Sequence, residues 1–116
     1  MDERRKFPRF AIELDAKLIT EAGKESLCKL TDISSKGTCI EIFAKEKIEV
    51  GTGIKLEIAA VEKKSQIKAA VIIMWITELD YDHDYHYRAG GLLSKIDSED
   101  KCYLLDQAYA IFKKSR

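Results

Sequence analysis

The sequence lacks several features, and each absence excludes a class of protein. It has no excess of charge, because 20 basic residues balance 20 acidic ones in a chain of 116 residues. A neutral chain has no long-range field that would draw it to a nucleic acid polymer or to an anionic membrane surface. Any site for an anion must therefore be local.

Long apolar runs are also missing. The longest, from Ala69 to Ile76, is far shorter than the roughly 20 residues that a membrane-spanning helix needs. The charged N-terminus has no apolar stretch of the kind found in secretory signal peptides. Cysteines are few, odd in number and without C-x-x-C spacing, which is typical of reduced core residues: Cys28, Cys39 and Cys102. We therefore expect a cytoplasmic protein with no membrane insertion.

No catalytic set is recognisable in the sequence. There is no serine or cysteine nucleophile with a plausible base, and there is no P-loop. In the segment from Asp82 to His86, His83 and His86 are three apart and would face opposite sides of a strand, so we predict a polar hairpin loop and no metal site. The expectation is a protein that is not an enzyme and has no cofactor.

Alternation of apolar and polar residues is the strongest signal that the sequence carries. With 46% apolar residues, the chain is long enough to form one domain over residues 1–116. The period of two predicts strands at residues 10–18, 25–32, 38–43, 54–58, 67–77 and 85–93. A helix is predicted over 97–114, capped by Asp97 or Ser98, and it is expected to cover the fifth strand, which is apolar on both faces. Six antiparallel strands with one terminal helix are most simply arranged as a small closed β-barrel.

Two polar stretches have the residue types of a guanine nucleotide site. The first, Arg4-Arg5-Lys6-Phe7-Pro8-Arg9, contains the only proline, which biases Phe7 away from helix, so residues 1–10 are predicted to form a flexible arm. The second, Asp32-Ile33-Ser34-Ser35-Lys36-Gly37, is a turn in which Asp32 and Ser34 leave on one face and Gly37 is free to adopt a positive φ. A guanidinium fork suits a guanine edge or a phosphate, and a carboxylate suits the guanine donors.

These stretches resemble the motifs of the PilZ domain, a bacterial receptor module for cyclic di-GMP. Arg5 and Arg9 fit its R-x-x-x-R arm, and Asp32 to Gly37 fit its [D/N]-x-S-x-x-G turn. Val71 to Trp75 is similar to its hydrophobic strand ending in tryptophan, and Tyr87 to Gly90 to its Y-R-x-G strand. The resemblance covers roughly residues 3 to 113 and implies a mainly β fold, a six-stranded split barrel with a C-terminal helix.

The resemblance also implies a role for each site residue. Arg5 and Arg9 would hold the guanine Hoogsteen edge and the phosphates, and Asp32 would accept hydrogen bonds from the Watson–Crick edge. Ser34 would add a hydrogen bond, and Gly37 would shape the turn. Apart from the resemblance, Arg4 adds a third guanidinium directly before the arm motif, and we expect it either to help hold a second, intercalated cyclic di-GMP or to be an ordinary solvent-exposed arginine.

The expected function is that of a cyclic di-GMP receptor or adaptor. Ligand binding would reorganise the arm and so regulate a protein partner in motility, exopolysaccharide or biofilm output, with the chain a monomer or a ligand-dependent dimer. Two alternatives stay open: a PilZ-like protein interaction module that does not bind the nucleotide, and a small barrel that binds single-stranded RNA, which the balanced charge disfavours. Taken singly, the arm also fits a solvated chain terminus, and the turn fits an ordinary hairpin.

Overall fold

The strands lie close to where the alternation predicts them. The computed structural model describes residues 9–44, 46–59, 66–80 and 86–114. Along this part of the chain the elements are β1 (Phe10–Thr20), β2 (Glu25–Ile33), β3 (Gly37–Phe43), β4 (Gly53–Ile58), β5 (Ile67–Asp80), β6 (His86–Ile96) and α1 (Ser98–Lys114). The Asp97 carboxylate accepts a hydrogen bond from the Glu99 amide at 2.9 Å, so Asp97 caps α1 as predicted.

The six strands close into a barrel in the order β1-β2-β3-β6-β5-β4. All neighbours are antiparallel, and β4 pairs back onto β1 to complete the ring. Closure gives each of these strands two partners and so removes the open edges that invite aggregation. The predicted six-stranded antiparallel barrel with a C-terminal helix is confirmed.

The barrel interior is filled by aliphatic side chains. In β4, for example, Ile54, Leu56 and Ile58 are buried while Lys55 between them faces the solvent. Burying one such side chain stabilises the fold by about 1.5–3 kcal/mol relative to leaving it exposed. The largest fully buried aliphatic side chains come from β1 to β5 and from the helix: Leu18, Leu30, Ile33, Ile40, Ile42, Leu56, Ile58, Ile67, Val71, Ile73 and Leu104.

The helix packs elsewhere than expected. α1 lies mainly against β1, with further contacts to β2, whereas the sequence predicted that it would cover β5. Barrel closure alone buries the inward residues of β5, and a register shift between Ile73 and Trp75 changes the direction of the side chains that follow. The outer side of β5 therefore stays open, with Met74 57% and Trp75 42% exposed.

The pairing of β3 with β6 sets the position of the polar turn. Thr38 lies opposite Gly91 and Cys39 opposite Gly90, which places the start of β3 beside the middle of β6. Two register shifts, one in β1 after Ala11 and one in β2 before Asp32, fall at the same end of the barrel. No helix in the described ranges combines the length and the apolar character needed to cross a bilayer.

Candidate functional site

The turn between β2 and β3 is fixed by one buried serine. The Ser34 side chain is only 4% exposed. Its hydroxyl oxygen accepts hydrogen bonds from the amides of Gly37 at 3.1 Å and Lys36 at 3.4 Å, and the hydroxyl donates to the Gly37 carbonyl at 3.3 Å. The Ser34 amide also donates to that carbonyl at 2.8 Å. The structure thus uses the Ser34 hydroxyl within the turn and does not place it beside the Asp32 carboxylate on an open face.

Gly37 is a glycine for a reason other than the predicted one. The sequence suggested a positive φ, but the glycines with positive φ in the described residues are Gly23 and Gly51. A Cβ atom on Gly37 would lie 2.8 Å from the Gly91 carbonyl oxygen. That oxygen belongs to the backbone of β6 and cannot rotate away, so the close approach of two strands requires the missing side chain.

Arg9 and Asp32 form the central polar contact of the site. Arg9 Nη1 lies 3.2 Å from Asp32 Oδ1, and each side chain is 26% exposed. The same carboxylate oxygen accepts the Cys39 amide at 3.0 Å, which holds the Asp32 side chain in place. The backbone carbonyl of Asp32 accepts the Thr38 hydroxyl at 2.6 Å. Asp32 is therefore a fixed, partly exposed acceptor with an arginine already bound to it.

Two of the predicted site residues cannot be placed. Arg4 and Arg5 lie outside the described residues, which begin at Arg9. The structure thus brings together Arg9, Asp32 and Gly37, with the Arg9 guanidinium 3.9 Å from the position that a Gly37 Cβ would occupy.

A surface row across four strands extends the site beyond Asp32. Asp32 pairs with Cys39, Cys39 with Gly90, and Gly90 with Trp75, so these four residues follow one another across β2, β3, β6 and β5. With strands about 4.8 Å apart, the row spans roughly 14 Å from Asp32 to Trp75. Gly90 has no room for a side chain, because a Cβ there would overlap the Trp75 indole. We call this row the floor of the site: a carboxylate lies at one end, and at the other end the Trp75 indole lies over Gly90.

Sequence reasoning singled out neither Trp75 nor Arg88 as a site residue. Arg88 lies two residues before Gly90 on β6 and therefore on the same face of the sheet. The signal available was the Y-R-x-G stretch, whose glycine makes room for the indole. Burial, together with the nearby Asp32 charge, raises the pKa of the Cys39 thiol, so the middle of the floor is uncharged.

The histidine segment can be followed only at its last residue. Of the stretch from Asp82 to His86, residues 82–85 fall outside the described ranges. His86 Nε2 lies 2.7 Å from Glu41 Oε2, and the His86 ring stacks on Phe43 with 4.5 Å between centroids. Within the described ranges, no group of three or more histidine, cysteine or acidic side chains is arranged to hold a metal ion.

Several solved structures have the same fold. The chain is similar to Bacillus subtilis inhibitor of motility, MotI/DgrA, with a TM-score of 0.74 and 20% identity over 99% of this chain and 54% of that one. It is also similar to the PilZ domain of YcgR from Escherichia coli, solved with cyclic di-GMP, with a TM-score of 0.74 and 12% identity over 98% of this chain and 95% of that one.

A third similar structure is the K. pneumonia MrkH complex with cyclic di-GMP, with a TM-score of 0.71 and 13% identity over 99% of this chain and 55% of that one. The chain therefore spans about half the length of MotI and of MrkH. No curated protein sequence is significantly similar to it. The sequence pattern of the PilZ domain matches residues 3–105, and the chain belongs to the PilZ domain family.

Proposed function

We propose that this chain is a cyclic di-GMP receptor that acts in the bacterial cytoplasm by regulating a protein partner, and that it is not an enzyme. One observation carries the proposal: Arg9 and Asp32, which are 23 positions apart in the sequence, meet at 3.2 Å on the barrel surface. The arm and the turn are thereby joined in one place. Membership of the PilZ family and the cyclic di-GMP complexes of YcgR and MrkH support the choice of ligand.

Each residue has a chemical role in this proposal. Asp32 accepts hydrogen bonds from the N1–H and N2–H donors of guanine, a charge-assisted pair. Arg5 and Arg9 bind the Hoogsteen edge and the phosphates and stack on the bases, which a guanidinium does better than an ammonium. Ser34 and Gly37 act by shaping the turn. Direct contact from the Ser34 hydroxyl to the ligand would require it to leave the hydrogen bonds that close the turn.

Ligand exchange at Asp32 supplies the switch. In the structure, Arg9 is the cation beside the carboxylate, and guanine would compete for the same acceptor. An exposed or half-exposed ion pair of this kind is worth only about 0.5–1 kcal/mol, so its loss is easily offset by charge-assisted bonds to the ligand. Arg9, once released, is free to bind phosphate. Residues 1–10 then change conformation because the ligand has higher affinity for one arrangement of the arm.

The sheet face that carries the surface row adds two residues to the proposed site. Trp75 offers a ring on which a second base of the ligand can stack, and Arg88 offers a guanidinium on the same face. Arg4 is proposed to hold a second, intercalated cyclic di-GMP, because a stacked pair of ligands presents more faces and phosphates than two arginines cover. The chain would then be a monomer or a ligand-dependent dimer, and its output would be motility, exopolysaccharide or biofilm control.

Isothermal titration with cyclic di-GMP tests the proposal. The native chain should bind, and Arg5→Ala, Arg9→Ala and Asp32→Ala should each lose at least about tenfold in affinity with the fold intact. Lys17→Ala is the matched control, because Lys17 and Glu25 form a comparable cross-strand pair, at 3.6 Å between β1 and β2, away from the site. A ratio of two ligands per chain that falls to one in Arg4→Ala would support the role of Arg4.

The same titration distinguishes the alternative function. A chain that gives no heat with cyclic di-GMP, or that binds it equally well in all three site variants, is not the receptor proposed here. A PilZ-like interaction module would instead bind its partner protein with the same affinity whether or not cyclic di-GMP is present.

A further inference from the structure

The helix α1 contacts both halves of the proposed nucleotide site, although none of its residues belongs to either motif. Near its start, Lys101 Nζ donates a hydrogen bond to the Ser35 carbonyl at 3.0 Å. Ser35 is in the middle of the turn between β2 and β3. The helix therefore fixes the turn from outside, in addition to the bonds that Ser34 makes within it.

The other end of the helix holds the base of the arm. The Phe10 ring, next to Arg9, packs edge-on against two rings of the last helical turns, with centroid distances of 5.8 Å to Tyr109 and 5.6 Å to Phe112. Tyr109 and Phe112 also contact each other at 6.2 Å. We call Phe10, Tyr109 and Phe112 the aromatic cluster. It limits where the chain can begin to turn away from β1, and so fixes the base of the arm.

One rigid element thus joins the two halves. Leu104 and Ala108, which lie between the two contacts, are fully buried against the barrel, so the middle of the helix cannot shift easily. Lys101 and Phe112 are 11 residues apart, which corresponds to about 16 Å along a helix. The turn and the arm base are therefore held at a set separation by the helix as well as by the strands that carry them.

We propose that α1 positions the cyclic di-GMP site, with Phe112 and Lys101 acting as positioning residues for Arg9 and for the turn. This inference rests on the proposed function. Loosening the arm base adds backbone freedom that the ligand must remove when it binds, and releasing the Ser35 carbonyl does the same for the turn. Neither residue touches the ligand.

Titration with cyclic di-GMP of matched helix variants tests the inference. Phe112→Ala should raise the Kd about fivefold, on the order of the cost of ordering one further backbone residue. Its control is Ile111→Ala, a neighbouring side chain of similar exposure, 48% against 40%, which is outside the aromatic cluster. Lys101→Met should raise the Kd by a similar factor, with Lys114→Met as its control.

Three readouts separate positioning from a general loss of structure. The number of ligands bound per chain should not change, the dissociation rate should rise, and Phe112→Tyr and Lys101→Arg should restore the native Kd. The inference would be overturned if the native chain binds and the Kd values of Phe112→Ala and Lys101→Met match those of their controls within twofold. That result would leave the receptor proposal intact. A native chain that does not bind would instead overturn the receptor proposal.

Discussion

Replacing Gly37 with alanine tests how the turn is built. The new Cβ atom would lie 2.8 Å from the Gly91 carbonyl oxygen, where ordinary contact begins at 3.4 Å. Since the obstructing atom is backbone, the β3–β6 ladder itself must move. Overpacking of this kind costs about 1–3 kcal/mol, so the melting temperature should fall by about 4–12 °C. We expect cyclic di-GMP binding to weaken as well, because the displaced turn carries Asp32.

The measurement is thermal or urea denaturation followed by circular dichroism, with Gly53→Ala as the control. Gly53 has no atom within 4 Å of its ideal Cβ position and no positive φ, so alanine there should leave the stability unchanged or raise it by up to about 1 kcal/mol. Gly37→Asn separates the two explanations, because a left-handed φ would favour asparagine over alanine. The close-approach explanation would be refuted if Gly37→Ala and Gly53→Ala were equally stable. It would also be refuted if Gly37→Asn were clearly more stable than Gly37→Ala.

Three further outcomes are expected. Asp32→Asn should keep the free energy of unfolding within about 1 kcal/mol of native, because the ion pair with Arg9 is partly exposed. It should weaken cyclic di-GMP binding at least about tenfold by calorimetry, and unchanged affinity would count against a charged acceptor. Burial raises the pKa of the Cys28 thiol from 9.0 to about 12, so above about pH 9 the thiol ionises in the unfolded chain but not in the folded one. In urea denaturation, the free energy of unfolding of the native chain should therefore fall by about 1 kcal/mol per pH unit above about pH 9 relative to that of Cys28→Ala. The same pH dependence in both proteins would contradict this. Gly90→Ala should displace the indole of the single tryptophan, Trp75, and shift its fluorescence emission to longer wavelength; an unchanged spectrum would mean that the ring does not lie over Gly90.

The sequence predicted the strands well because a half-buried strand leaves a period-two pattern. The ends of β5 and β6 are less visible, since each continues into polar residues that are held by pairing with the start of the other strand, such as Glu78 of β5 with Tyr87 and Lys95 of β6 with Ala70. The position of the helix was predicted wrongly. A strand that is apolar on both faces suggests a covering element, and the sequence does not reveal that a register shift will turn Trp75 outward beside Met74.

The site was predictable where it depends on local motifs and unpredictable where it depends on distant pairing. The residue types of the two motifs and their resemblance to those of the PilZ domain were enough to expect Arg9 and Asp32 in one place. The reason for Gly37, however, lies in Gly91, and the room at Gly90 is taken by Trp75. Both contacts exist only because β6 lies between β3 and β5, which no short stretch of sequence encodes.

The pairing of β3 with β6 has a consequence for folding. This pairing joins Cys39 to Gly90, and β4 and β5 lie between them in the sequence. Contacts between residues so far apart in sequence form late, because a long loop must close before the contacts can form. The hairpin of β2 and β3 can assemble early and carry Asp32, yet the floor on which a nucleotide would rest is absent until the ring of strands closes. A ligand that needs this floor binds only the completed barrel, so the melting temperature rises with the ligand concentration by mass action. Under the proposed function, a chain stalled before closure would not bind cyclic di-GMP.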